Sequence, residues 1–136
     1  MFRKMLIAND GSKGGEHALS AAIDLARRLE LDLHMIYVEE LPKIPATVGE
    51  VFVVENDAAQ RYAAHAKVQA LAQNVKFEAH VIEGHAVPSI VDFIQQGGYD
   101  LLVVGFMGHS ALYNRIIGST TDRLVELAPC DVMVIK

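Results

Sequence analysis

The chain has 136 residues, 51% of them hydrophobic and 21% charged, with a net charge of −5 and a single cysteine, Cys130. That length points to one domain over residues 1–136, large enough to bury a core without disulfides or structural metals. The acidic balance and scattered basic residues argue against a nucleic-acid partner, and no apolar run approaches the roughly 20 residues that a membrane-spanning helix needs.

"KMLIAND" (4–10) reads as a buried strand running into a turn, and "GSKGGEHALSAAIDLARRLE" (11–30) as a helix with Ser12 as N-cap. Ala18, Ala22, Leu25, Ala26 and Leu29 recur at helical spacing and form its expected buried face. Arg27 and Arg28 stand in the last turn, where cations complement the helix dipole and solvent. "DLHMIYVEE" (32–40) is a second buried strand. The stretch 41–54, with Pro42, Pro45 and Gly49, is a loop, and 55–73 is an alanine-rich helix.

"VKFEAHVIEG" (75–84) alternates, with Val75, Phe77, Ala79 and Val81 on one face and Lys76, Glu78 and His80 on the other. This is the pattern of a half-exposed strand near a sheet edge. A helix over 86–98, a strand "YDLLVVG" (99–105), a connection over 106–117, a helix over 119–128 and a strand over 130–136 complete the chain. The order β-α-β-α-β-α-β-α-β implies an α/β, doubly wound parallel sheet with helices on both faces. Ligands of such sheets bind outside the C-terminal strand ends, which directs attention to Asn9-Asp10, Tyr37-Val38 and Gly105.

The segment "GFMGHSALYNRIIGSTTDR" (105–123) carries the chemistry. Gly118 opens a helix whose first N–H groups lack internal partners and carry the positive end of the dipole, a natural seat for phosphate. Ser119 and Thr120 add hydroxyl donors. Neither the Walker pattern nor GxGxxG is present, so the residues alone leave two readings open: a phosphate cradle, or glycines that serve a turn and a cap.

The spacing Gly105-x2-Gly108-x9-Gly118-Ser119 resembles the G-x2-G-x9-G-[S/T] nucleotide motif of the universal stress protein family. "NDGS" (9–12) is similar to that family's turn after the first strand, "YDLLVVG" to its D-L-[IV]-V-x-G strand, and "APCDVMVIK" to its last strand. The resemblance implies a five-stranded Rossmann-like sheet of order 3-2-1-4-5 that binds ATP or AMP, and a homodimer formed through the last strand. It places Asp10 at the nucleoside, the first-strand end at Ala8 beside it, and the backbone of Val38 at adenine. Gly105, Gly108, Gly118, Ser119 and Thr120 fall where ribose and phosphates are held, with His109 at a position often basic. Phe106 and Met107 depart from the family's hydroxyl-then-Arg pair and remove one charge-assisted phosphate contact. Mg²⁺ with ATP could be held through water by Asp10.

The expected function is a cytoplasmic stress sensor or regulator with an unidentified regulatory protein as partner. The alternatives are an interaction module with a vestigial site and a slow ATP hydrolase; no catalytic residue is assigned. The six histidines form no metal-ligand spacing; His80 and His85 are the pair that could meet across a turn, and all six are expected at the surface. Cys130, between Pro129 and an apolar strand, is expected to be inert packing.

Overall fold

In the computed structural model, residues 1–40, 57–106 and 117–136 are described. Five strands, β1 (Met5–Asn9), β2 (Leu33–Glu40), β3 (Phe77–Gly84), β4 (Leu101–Gly105) and β5 (Asp131–Ile135), form one parallel sheet of order β3-β2-β1-β4-β5. Four helices connect them: α1 (Lys13–Leu29), α2 (Asp57–Ala72), α3 (Ala86–Gly97) and α4 (Ser119–Leu127). The expected architecture and strand order are both present.

Alternation along each strand divides the core into two layers. Met5 and Ile7 of β1, Leu33 and Met35 of β2, Phe77 of β3 and Leu101 and Val103 of β4 face α1 and α2. Leu6, Ile36, Leu102 and Val104 face the other way, against Ile90 and Ile94 of α3 and Leu124 of α4. The central strands are buried on both faces, which is why they read as continuous apolar runs rather than alternating ones.

α1 starts as expected: Ser12 is extended and its hydroxyl accepts from the Gly15 N–H at 3.1 Å. Its buried stripe differs from the expected one. Gly15, Ala18, Leu19, Ala22, Ile23 and Ala26 are buried, whereas Leu25 and Leu29 are only partly so. The small residues of the stripe let the helix lie close to the sheet, and this turns the larger Leu25 toward its margin. Arg27 and Arg28 are solvated as expected, paired with Asp24 at 2.8 and 2.9 Å on an exposed face.

The polar face of β3 is not simply wet. Val75, Phe77, Ala79 and Val81 pack in the α1/α2 layer as the alternation predicts, but Ile82 belongs to the α3/α4 layer and the His80 ring lies 4.8 Å from that of Phe93 on α3. Helix α3 therefore covers part of a face that the sequence pattern assigns to solvent. Cys130 is half-buried in the same layer, and burial pushes its thiol up from its ordinary value, consistent with inert packing. No helix among the described residues is long and apolar enough to cross a membrane.

Candidate functional site

Parallel strands place all their C-terminal ends on one side, and the turn after β1 occupies the middle of that side. Asn9, buried at 7% exposure, holds this turn together. Its Oδ1 accepts from the Gly11 N–H at 2.8 Å, and its Nδ2 donates to the Gly15 carbonyl at 3.0 Å and the Tyr62 hydroxyl at 2.8 Å. One amide thus ties the end of β1 to the first turn of α1 and to α2. Gly11 has a φ of 77°, which favours glycine, and a Cβ on Gly15 would collide with Asn9 Oδ1.

The Asp10 carboxylate accepts from the Ser12 N–H at 2.9 Å, an Asx-type turn that aims the chain into α1. Asp10 is partly exposed at the rim of the sheet. Ala8 and Val38 are partly buried, both against the α3/α4 layer. Across β1–β2 the register sets Asn9 opposite Tyr37, so Val38 is the first residue of β2 beyond the β1 pairing, while its other side pairs with Ile82 of β3. Tyr37 and Tyr62 lie 6.0 Å apart on the α1/α2 side. Burial pushes both phenols up, aided by the charges of Asp10 and Glu39 at Tyr37 and of Glu16 at Tyr62, so both stay neutral hydrogen-bonding groups.

Gly105 is the meeting point of two helices. A Cβ there would stand 2.8 Å from the Gly14 carbonyl oxygen and 2.9 Å from its carbon, so the start of α1 presses directly on the end of β4. From the other side, the Thr121 hydroxyl donates to the Gly105 carbonyl at 2.7 Å and fastens α4. Two positive helix ends therefore converge on the strand end where a ligand is expected.

At the start of α4, the Gly118 N–H donates to the Phe106 carbonyl at 2.9 Å, and the Phe106 N–H donates to the Ile135 carbonyl at 2.8 Å. These bonds close the connection at its base and fix the helix start against β5. Gly118 is extended and caps α4 without a side-chain hydrogen bond. Ser119 and Thr120 are exposed, as a ligand-facing pair must be, while Thr121 is buried at 7%. The run of three hydroxyls thus divides into two that face outward and one that anchors the helix. The sequence reading missed that division; the signal for it is Leu124, three residues on and buried on the same side.

Gly108 and His109 lie outside the described residues, as do Met107 and the loop 41–54. Phe106 is described, and the ammonium of Lys136 stands 5.2 Å from its ring centroid, within cation–π range. A cation is therefore present at this end of the sheet through the last residue of the chain, a placement that the linear sequence conceals.

Comparison with known proteins agrees with this geometry. The model of the Universal stress protein family matches residues 1–136. Universal stress protein YxiE of Bacillus subtilis is 29% identical over 148 residues, covering 100% of each chain. The solved structure of universal stress protein UspA from Lactobacillus plantarum is 25% identical, covers 99% of this chain and 98% of its own, and superposes with a TM-score of 0.87.

Proposed function

The chain belongs to the universal stress protein family, and from that premise we propose that it binds an adenine nucleotide at the C-terminal ends of β1, β2 and β4. The phosphate rests on the start of α4. The observation that carries this reading is the convergence of two helix N-termini on Gly105, one of them, α4, capped by Gly118 with no side chain in the way. Ser119 and Thr120 supply hydroxyls to the phosphate, Asp10 meets the ribose, and the backbone at Val38 meets the base.

Relatives of the same fold support the ligand class. One universal stress protein has been solved in complex with cAMP (20% identical, TM-score 0.77), one from Arabidopsis thaliana with AMP (18%, 0.72) and one from Archaeoglobus fulgidus with dAMP (21%, 0.69). All three ligands combine adenine with a single phosphate. Phe106 and Met107 bring no charge to the start of this loop, which suits that small charge better than a triphosphate. ATP with Mg²⁺ is the competing ligand; it would draw on Asp10 for the cation.

The role that follows is regulatory: nucleotide occupancy at the sheet rim changes the surface offered to a protein partner, without turnover. The test is to denature the freshly purified protein, identify any released nucleotide by mass spectrometry, and titrate AMP, cAMP and MgATP into the emptied protein beside a Ser119→Asp variant. A carboxylate in the first turn favours the helix by about 0.3–1 kcal/mol while it repels phosphate. The expected result is a folded variant, at least as stable as the parent, that has lost nucleotide. Equal binding by both proteins, or steady phosphate release from ATP, would count against the reading.

A further inference from the structure

At the opposite end of the sheet, three side chains with metal-binding chemistry converge. His34 on β2 is directly opposite Glu78 on β3, and His80 lies two residues further along β3 on the same face. His34 Nδ1 is 3.3 Å from His80 Nε2 and 3.7 Å from Glu78 Oε2, and His80 Nε2 is 3.9 Å from Glu78 Oε1. The two nitrogens that face each other are also the ones that face the carboxylate, so the three ligand groups share one focus. Tetrahedral zinc with Zn–N and Zn–O bonds near 2.0–2.1 Å sets neighbouring ligand atoms roughly 3.3–3.5 Å apart. The two ring nitrogens already stand at that spacing, and with one ligand atom from each residue all three lie within 4.8 Å, so a turn of the exposed Glu78 carboxylate completes the set.

The surroundings hold the rings in place. His34 lies edge-on to Tyr99 at 5.3 Å, His80 packs on Phe93 at 4.8 Å, and Phe93 and Tyr99 stack on each other at 5.5 Å. The His34 and His80 side chains are 18% and 27% exposed and Glu78 is 65% exposed, so the focus opens toward solvent beside the carboxylate. Lys4, the nearby cation, is drawn off by the Gly97 carbonyl at 2.7 Å and the face of Tyr99.

We propose that His34, Glu78 and His80 form a site for one divalent zinc ion, with water as the fourth ligand. Two imidazoles and one carboxylate form a borderline donor set that suits zinc and excludes magnesium and calcium, which prefer all-oxygen shells. In the metal-free protein the two rings are nearly coplanar, at 7°, and a proton bridges their facing nitrogens. On binding, that proton moves to the far nitrogen of its own ring, or to solvent if that nitrogen already carries one, and both lone pairs turn toward the ion. The ion would clamp edge strand β3 to β2, remote from the nucleotide end of the sheet.

The test uses the full chain stripped with chelator and then titrated with Zn²⁺ by calorimetry and with Co²⁺ by absorption. Loss of an outer partner of a metal ligand already costs roughly 10- to 100-fold in affinity, so loss of a ligand costs at least as much. One ion per chain should bind with micromolar affinity or better, and Co²⁺ should give the intense visible bands of a four-coordinate site. Glu78→Gln, at an exposed position, and His80→Gln should each weaken binding by about tenfold or more. His85→Gln, a control at the other end of β3, should leave it unchanged. No stoichiometric binding by the wild type, or equal binding by Glu78→Gln and His80→Gln, overturns the site. Nucleotide binding is measured separately, so neither result bears on the other.

Discussion

Gly105→Ala tests whether the first glycine of the motif is present for the ligand or for the fold. The added Cβ meets the Gly14 carbonyl oxygen at 2.8 Å and its carbon at 2.9 Å, both backbone atoms that cannot rotate away. Ordinary contact between carbons begins near 3.5 Å, so the start of α1 must retreat by about 0.6 Å. Overpacking of this kind costs about 1–3 kcal/mol. Replacing glycine by alanine also stiffens the unfolded chain, which returns about 0.4–1 kcal/mol. The net expectation is a loss of about 1–2 kcal/mol, or roughly 3–10 °C in Tm for a domain of this size. Urea unfolding followed by far-UV circular dichroism should show a lower midpoint with an unchanged slope, since no surface is added or removed on unfolding. Nucleotide affinity should fall as well, because α1 and α4 both register on this residue. A midpoint that stays or rises would refute the close approach of α1 to β4. Ser119→Asp should do the opposite, keeping stability and losing ligand, so the pair separates the two roles of one motif.

Three further outcomes are expected. Asn9→Ala removes three hydrogen bonds and leaves buried partners unsatisfied, so it should cost about 2–4 kcal/mol, whereas Tyr62→Phe, which breaks one of the three, should cost about 1 kcal/mol; equal effects in denaturant unfolding would show that the amide is not the hub. Burial works against ionisation of Asp100, but N–H bonds from Lys4 and Arg3 outweigh it and hold the carboxyl below its ordinary value. Its contribution is therefore full above the unfolded value of 3.8 and is lost as pH falls through the lower folded value; Tm measured against pH should fall less steeply on the acid side in Asp100→Asn than in the parent, and parallel curves would exclude this contribution. Strand β5 ends the sheet with Met133 36% exposed, and a second copy joined there would cover the edge. Light scattering should then give a dimer that Met133→Arg reduces to a monomer; a monomeric parent would discard that interface.

The parallel sheet was legible because burial and connection impose themselves on the sequence, whereas its strand order came from the family resemblance. Strands covered on both faces must be apolar throughout, as "LLVVG" is, and parallel neighbours must be separated by helices. The motif glycines were legible as a spacing, but their separate reasons were not. The need for Gly105 arises from the approach of Gly14, a residue far away in the chain. Asn9 was equally hidden. An asparagine after a strand signals a turn, and nothing local shows that its amide also reaches the Tyr62 hydroxyl. Side-chain hydrogen bonds between distant elements leave no periodic trace.

The histidines carry the same lesson further. Five residues apart and separated by a turn, His80 and His85 are the pair that the sequence lets meet, yet His85 pairs with Glu40 at 3.4 Å and His80 meets His34, 46 residues away. The deciding quantity is the β2–β3 register, which places Leu33 against Phe77 and hence His34 against Glu78. That register is itself set by burial. A slip of one residue would turn Phe77, Ala79 and Val81 out of the α1/α2 layer and drive Glu78 and His80 into it. The apolar face of β3 thus fixes, without any contact of its own to the cluster, which polar residues of the other face come together. Once the strand order and this register are known, alternation predicts the pair. The route to such a site runs from core pattern to register to cluster, and a scan for ligand spacing along the chain bypasses it.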